Sequence, residues 1–166
     1  MSSDPNPVET PAGESPFELD HFLPYRFNVL AECMSRSLAR IYQEQFGISV
    51  PEWRVLATLG RESPLSAGEV GSRAHMEKAR VSRTLARMLD AGLINRQVDA
   101  RDNRVAVLAL TRRGQDMFRR IAPLARAWEA EMLQVLDAGE VERLHELLDR
   151  LLARLRGMRA GSDDAD

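Results

Sequence analysis

Apolar residues recur at helical spacing over most of the chain, and turn-forming residues interrupt them at intervals. Over residues 22–46, Leu30, Met34, Leu38, Ile41 and Tyr42 share one stripe, with Arg26, Arg36, Arg40 and Glu44 between them. Pro24 is tolerated only in a first turn, which sets the start, and Gly47 suits a C-terminal stop. Ser49-Val50-Pro51-Glu52 has the pattern of a capping box, a hydroxyl followed three residues on by a carboxylate. It opens a helix to about Gly60 with Trp53, Leu56 and Leu59 inward, Trp53 as a core anchor. Ser66-Ala67-Gly68-Glu69 repeats the pattern and opens a helix to about Ala74, with Val70 and Ala74 inward. His75 falls in a turn. A second helix then covers about residues 76–91, with Val81, Leu85, Met88 and Leu89 on the buried side. Lys78, Ala79, Ser82, Arg83 and Ala86 fall mostly on the other face. Two short helices joined by a tight turn are the helix-turn-helix pattern.

Gly92 ends that helix, and Leu93 can pack back on it. Residues 94–98 and 105–110 are short β-prone runs, the second with Ala106, Leu108 and Leu110 on one face. The six residues between them are charged and turn-forming. Thr111 can cap the next helix, over residues 112–135, whose stripe is Phe118, Ile121, Leu124, Trp128 and Met132. Pro123 inside it predicts a kink or break. Asp137 and Gly139 mark a turn. In the last helix, residues 140–158, Val141, Leu144, Leu148, Leu151, Leu155 and Met158 form a coiled-coil-like seam that Leu147 and Leu152 widen. Packing on the first helix would bury that seam, and so would a partner subunit.

The predicted class is mainly α with a small β-hairpin wing. A winged helix-turn-helix domain (49–111) lies between an N-terminal helix (21–48) and two C-terminal helices (112–159) that form a helical dimerisation region. Residues 1–20 and 160–166 read as disordered acidic tails. The first either solubilises the chain or competes with DNA for its basic surface.

Charge sharpens this picture. The formal net charge of −2 conceals five acids and no Lys or Arg in residues 1–20, and three acids after Arg159. Residues 21–159 carry 23 basic against 17 acidic residues, and residues 73–113 ten against four, +6 in each case. Such asymmetry points to a polyanion, although a solvated face is the ordinary fate of a charge run. No apolar run approaches a membrane span, no secretory pattern opens the sequence, and the single Cys33 forms no internal disulfide. The expected compartment is the cytoplasm, with no membrane partner.

A basic helix followed by a basic hairpin presents two probes to double-stranded DNA, one for the major groove and one for the adjacent minor groove. Lys78, Arg80, Ser82 and Arg83 suit base contact, and Ala79 a thymine methyl. Arg73, Arg87, Arg96, Arg112 and Arg113 suit phosphates. At the hairpin tip Arg101 or Arg104 can enter the minor groove. Asp99 and Asp102 pair with neighbouring arginines to hold the turn, so one of the two arginines is structural. A salt-bridged, idle hairpin is the alternative.

Asp99-x-Arg101-x-x-Arg104, followed by a strand ending Leu110-Thr111-x-x-Gly114, resembles the wing of the MarR family of bacterial regulators. Val81-Ser82-Arg83-x-Leu85-x-x-Met88-Leu89-x-x-Gly92-Leu93-Ile94 and Trp53-x-x-Leu56-x-x-Leu59 agree. The likeness covers residues 22–158. It implies a homodimer knit by the first helix and the last two, a palindromic site near the protein's own promoter, and usually repression. It also implies release from DNA by a small molecule, often an aromatic acid or its thioester, bound between the dimerisation and DNA-binding parts. By analogy His21, Tyr25, Arg26, Arg36, Arg40, Trp53 and Arg54 would serve that effector, an arginine neutralising its anion.

Three rival readings are open. Peroxide-sensing members of the family use a reactive Cys near the start of the first helix. Cys33 lies further along, on or near the apolar stripe, where a buried inert thiol is expected. An enzyme would need a catalytic constellation. His21, His75 and His145 are scattered with no partner Cys for zinc, no Gly-rich phosphate loop or nucleophile elbow is present, and Glu44, Glu52 and Glu62 form no suggestive pair. No metal, cofactor or catalysis is expected. The third reading is an interaction protein that keeps the fold without binding DNA, against which the arginine cluster argues.

Overall fold

The computed structural model describes residues 17–98 and 106–163, with side chains through Met158. It comprises six helices and a small antiparallel sheet: α1 (Leu23–Phe46), α2 (Val50–Arg61), β1 (Leu65–Ser66), α3 (Ala67–Arg73), α4 (Lys78–Asp90), β2 (Ile94–Val98), β3 (Ala106–Leu110), α5 (Arg112–Met132) and α6 (Ala138–Asp163). Short 3-10 turns precede α1 (Leu19–His21) and follow α5 (Leu133–Val135). The chain divides into two compact units, one ending at Ser37 and the other beginning at Leu38.

In the first unit the chain takes up structure sooner than its acidic composition suggests. Phe17 and Phe22 have ring centroids 5.1 Å apart, and His21 Nδ1 lies 2.7 Å from Glu18 Oε2. Pro24 occupies the first turn of α1, as its missing N–H requires. Cys33 is exposed, correcting the expectation of a buried thiol. Its position beside the stripe does not cover it, and Arg36 Nη2 donates to its sulfur at 3.8 Å.

In the second unit the core gathers residues from every element between α1 and α5. Tyr42, Val55, Leu56, Leu59, Val70, Val81, Leu85, Met88, Leu108 and Ile121 are all buried in it. Trp53 stacks between Tyr42 and Phe118, with centroid distances of 5.7 and 6.2 Å and interplanar angles of 22°. It is therefore an aromatic anchor joining α1, α2 and α5. Burial pushes the Tyr42 hydroxyl above its ordinary pKa, and the charge of Arg54 opposes the shift.

The sheet has the order β1-β3-β2, and the two-residue β1 escaped the sequence pattern altogether. It pairs Leu65 with Leu108 and Ser66 with Val107. β2 pairs with β3 from Ile94 opposite Leu110 to Val98 opposite Ala106. Leu108 and Leu110 are buried as the alternation requires, but Ala106 is exposed and Val107 buried, on the middle strand of three.

Of the kink or break allowed for in α5 the break does not occur, and α6 departs from its expected bounds. α5 runs unbroken through Pro123, which lies on the exposed side, where water can reach the carbonyl that loses its partner. α6 begins at Ala138, because Asp137 and Glu140 exchange hydrogen bonds of 2.9 Å as a third capping box. It continues to Asp163, past Met158 and into the segment read as a disordered tail. Most of the α6 seam stays uncovered in the single chain: Leu144, Leu147, Leu151, Leu152, Leu155 and Met158 are exposed, and Val141 and Leu148 are half-buried.

Candidate nucleic-acid interface

The helix-turn-helix is α3 and α4. Ser66 caps α3: its N–H and hydroxyl donate to Glu69 Oε2 at 2.8 and 2.7 Å. Gly71 is where α3 and α4 touch, and a Cβ there would lie 3.1 Å from Val81 Cγ2. The turn between them passes through His75 at φ +49°, a left-handed conformation that costs a non-glycine residue some strain.

α4 begins at Lys78, two residues later than its apolar spacing suggested. Val81, Thr84, Leu85 and Met88 are buried. Thr84, missed in the sequence, satisfies its hydroxyl by donating to Arg80 O at 2.8 Å. Lys78, Ala79, Arg80, Ser82, Arg83, Ala86 and Arg87 are all exposed, with Ala79, Ser82, Arg83 and Ala86 on the side opposite the core. A groove of about 540 Å³ runs beside α4, and Lys78, Ser82 and Arg96 line it with Met76 and Leu89. Arg96 on β2 is thereby brought to the same surface as the start of α4.

Of the other phosphate candidates, Arg112 is exposed and three are engaged within the chain. Arg73 Nη1 lies 2.9 Å from Glu62 Oε2. Arg113 Nη1 donates to Ala91 O at 3.0 Å, closing the C-terminal end of α4. Arg87 Nε donates to Glu52 Oε1 at 3.3 Å, a residue 35 positions away that sequence spacing had assigned to a cap alone. The wing residues Asp99, Arg101, Asp102 and Arg104 lie outside the described residues, as does Val105.

Glu52 does both jobs. Its Oε2 accepts from the Ser49 N–H at 2.7 Å and the Ser49 hydroxyl at 2.6 Å. Partial burial works against its charge, but these bonds and Arg87 outweigh it and hold its pKa below the ordinary 4.5. A depressed carboxylate stabilises the fold fully above 4.5, and that contribution disappears as pH falls through the lower folded value. Urea midpoints are thus expected to fall below pH 4.5, and Glu52→Gln to flatten that part of the profile. An unchanged profile in the variant would show that Glu52 does not couple to folding.

The proposed effector residues divide between the two units. His21, Tyr25, Arg26 and Arg36 lie in the first, all exposed. Arg40, Trp53 and Arg54 lie in the second, with Trp53 held in its stack and both arginines exposed. Among the described residues no group of His, Cys, Asp and Glu could hold a metal ion, and no helix is long and apolar enough to cross a membrane.

Comparison with known proteins agrees with this geometry. A family model described as MarR family matches residues 46–104, which span α2 to the wing segment. The chain is 27% identical over 105 residues to the HTH-type transcriptional regulator BilQ of Clostridium symbiosum, covering 63% of this chain and 73% of BilQ. It is also 27% identical over 105 residues to an HTH-type transcriptional repressor of Mycobacterium tuberculosis, covering 63% and 76% respectively. A crystal structure of a MarR/EmrR family transcriptional regulator from Acinetobacter superposes with a TM-score of 0.78 at 25% identity, covering 84% of this chain and 99% of that one. Over residues 46–104 the chain is thus similar to the MarR family, and its helix-turn-helix, flanking helices and sheet match the fold of a solved MarR/EmrR regulator.

Proposed function

We propose that this protein is a homodimeric repressor that binds a palindromic operator and leaves it when a small aromatic acid or thioester binds. One observation carries the DNA-binding part. α4 exposes Lys78, Arg80, Ser82, Arg83 and Arg87 while Val81, Thr84, Leu85 and Met88 are buried. A helix so divided is anchored by its apolar face and free to enter a major groove with its polar one. Arg101 and Arg104 would reach the neighbouring minor groove, with Asp99 and Asp102 holding the tip. The sign of regulation follows the mycobacterial relative, which is named a repressor.

Dimerisation is supported by the leucines that α6 leaves exposed, together with Phe22 just before α1 and Phe27 and Leu30 on it. Two copies about one twofold axis would set their α4 helices about 34–36 Å apart along the duplex. An effector acts only by preferring one spacing of those helices over the other. His21, Tyr25, Arg26, Arg36, Arg40, Trp53 and Arg54 remain the residues proposed to serve it, and the cytoplasm is where the protein would meet both ligands.

The test is binding to the region upstream of its own gene across a salt series, for wild type and Arg101→Ala. The expected result is sequence-specific binding whose affinity falls steeply with salt, at about 0.9 in logarithmic slope per neutralised phosphate, weakened in the variant. Binding indifferent to sequence and to Arg101 would overturn the reading. The exposure of Cys33 favours one second reading, a thiol-based sensor. Loss of DNA binding on peroxide treatment, absent in Cys33→Ser, would establish it.

A further inference from the structure

Among the described residues, the ion pair of Glu52 and Arg87 joins α2 to α4, and its geometry is built on both sides. The Glu52 carboxylate is fixed at Oε2 by two donors of Ser49, which leaves Oε1 for Arg87 Nε. The Glu52 side chain is 16% exposed and that of Arg87 56% exposed, so the acid lies inside the contact and the guanidinium outside it. A guanidinium has five N–H donors, and Nε supplies one of them. The four on its two Nη atoms are the ones a phosphate could accept from, in the forked geometry that suits it. Arg80, Arg83 and Arg87 recur at helical spacing along α4, so Arg87 extends the basic stripe away from the start of the helix. That is where a recognition helix leaves the bases and meets the backbone of the duplex.

We propose that Glu52 is a positioning residue for DNA binding: it holds Arg87 by Nε so that the Nη edge is presented to a phosphate. The proposal rests on the DNA-binding reading above and adds to it a named contact and the residue that orders it. The usual objection is that a carboxylate beside an arginine repels phosphate. Here the carboxylate is mostly buried and its Oε2 is held by Ser49, so it restrains the cation more than it screens it. The same arrangement ties the orientation of a DNA contact to the first turn of α2, the turn that follows the end of α1 at Phe46 and the Gly47–Ser49 connection.

The test is a double-mutant cycle of Glu52→Gln and Arg87→Ala in the full chain. Affinity and salt slope are read on a duplex carrying the upstream operator and on a scrambled duplex of equal length. Thermal melts of all four proteins report how much each change costs the fold. Arg87→Ala is expected to weaken binding about tenfold on both duplexes and to lower the salt slope by about 0.9, the loss of one phosphate. Glu52→Gln is expected to weaken binding several-fold and lower the slope in the presence of Arg87, and to change neither in its absence. A cap role alone would lower the melting temperature and weaken binding equally in both backgrounds, which overturns the proposal. Tighter binding by Glu52→Gln would overturn it too, since Glu52 would then be withholding Arg87 from DNA. If wild type binds no duplex in a salt-dependent way, the DNA-binding reading itself falls. Normal wild-type binding with an additive cycle removes only the role of Glu52.

Discussion

A methyl group at position 114 is expected to cost the fold about 3 kcal/mol or more, the upper end of what overpacking a core does. Gly114 is buried in the first turn of α5, and a Cβ built there lies 2.0 Å from Leu93 O and 3.1 Å from Leu93 C. Both atoms are backbone, so no side chain can swing aside. The seat is held from several directions. Thr111 caps α5 by accepting from the Gly114 N–H at 3.1 Å, and its hydroxyl donates to Gly92 O at 2.7 Å. The Thr111 N–H donates to Leu93 O at 3.0 Å. Together these fasten the start of α5 to the turn that ends α4. Gly114→Ala must either break that fastening or push α5 off the sheet. The measurement is the urea midpoint at unchanged m-value. A loss under about 1 kcal/mol would mean that α5 does not sit against Leu93 as described.

Arg83→Glu is expected to weaken operator binding by at least about a hundredfold and leave stability within about 0.5 kcal/mol of wild type. Arg83 is exposed on the outward side of α4, one residue before buried Thr84. A bidentate arginine–guanine contact is worth about 1–3 kcal/mol, and reversal adds repulsion between a carboxylate and phosphate or base oxygens. The same substitution leaves the core side of α4 untouched, so thermal melting should separate loss of binding from loss of fold. Fluorescence anisotropy at one fixed salt concentration measures the first. An unchanged affinity in a folded protein would remove the outward face of α4 from the interface.

Much of this architecture was legible before any tertiary contact was known. Capping boxes at Ser49 and Ser66 act within four residues, so the letters alone place them, and both appear in the structure. Gly92 stops α4 at φ +64°, and Leu93 returns to the core as expected. The outward set on α4 follows from helical period alone. The same reasoning failed where a rule of local propensity met a tertiary constraint. Pro123 predicts a kink or a break, and the break does not occur: α5 continues, its buried Ile121 and half-buried Phe118 holding the helix against the core. β1 is too short to show any period and exists because β3 offers it an edge.

The residues by themselves determined the helices, their caps, the inward and outward faces of α4, and the likeness of the wing motif to its family, because each depends on neighbours within a few positions. Only the tertiary structure decided that Gly114 meets a carbonyl, that Trp53 is stacked between Tyr42 and Phe118, and that Glu52 reaches Arg87. It decided too that Cys33 and the α6 leucines are left exposed on the single chain. Those outcomes depend on the distance between segments far apart in sequence, a quantity that hydrophobic periodicity does not contain.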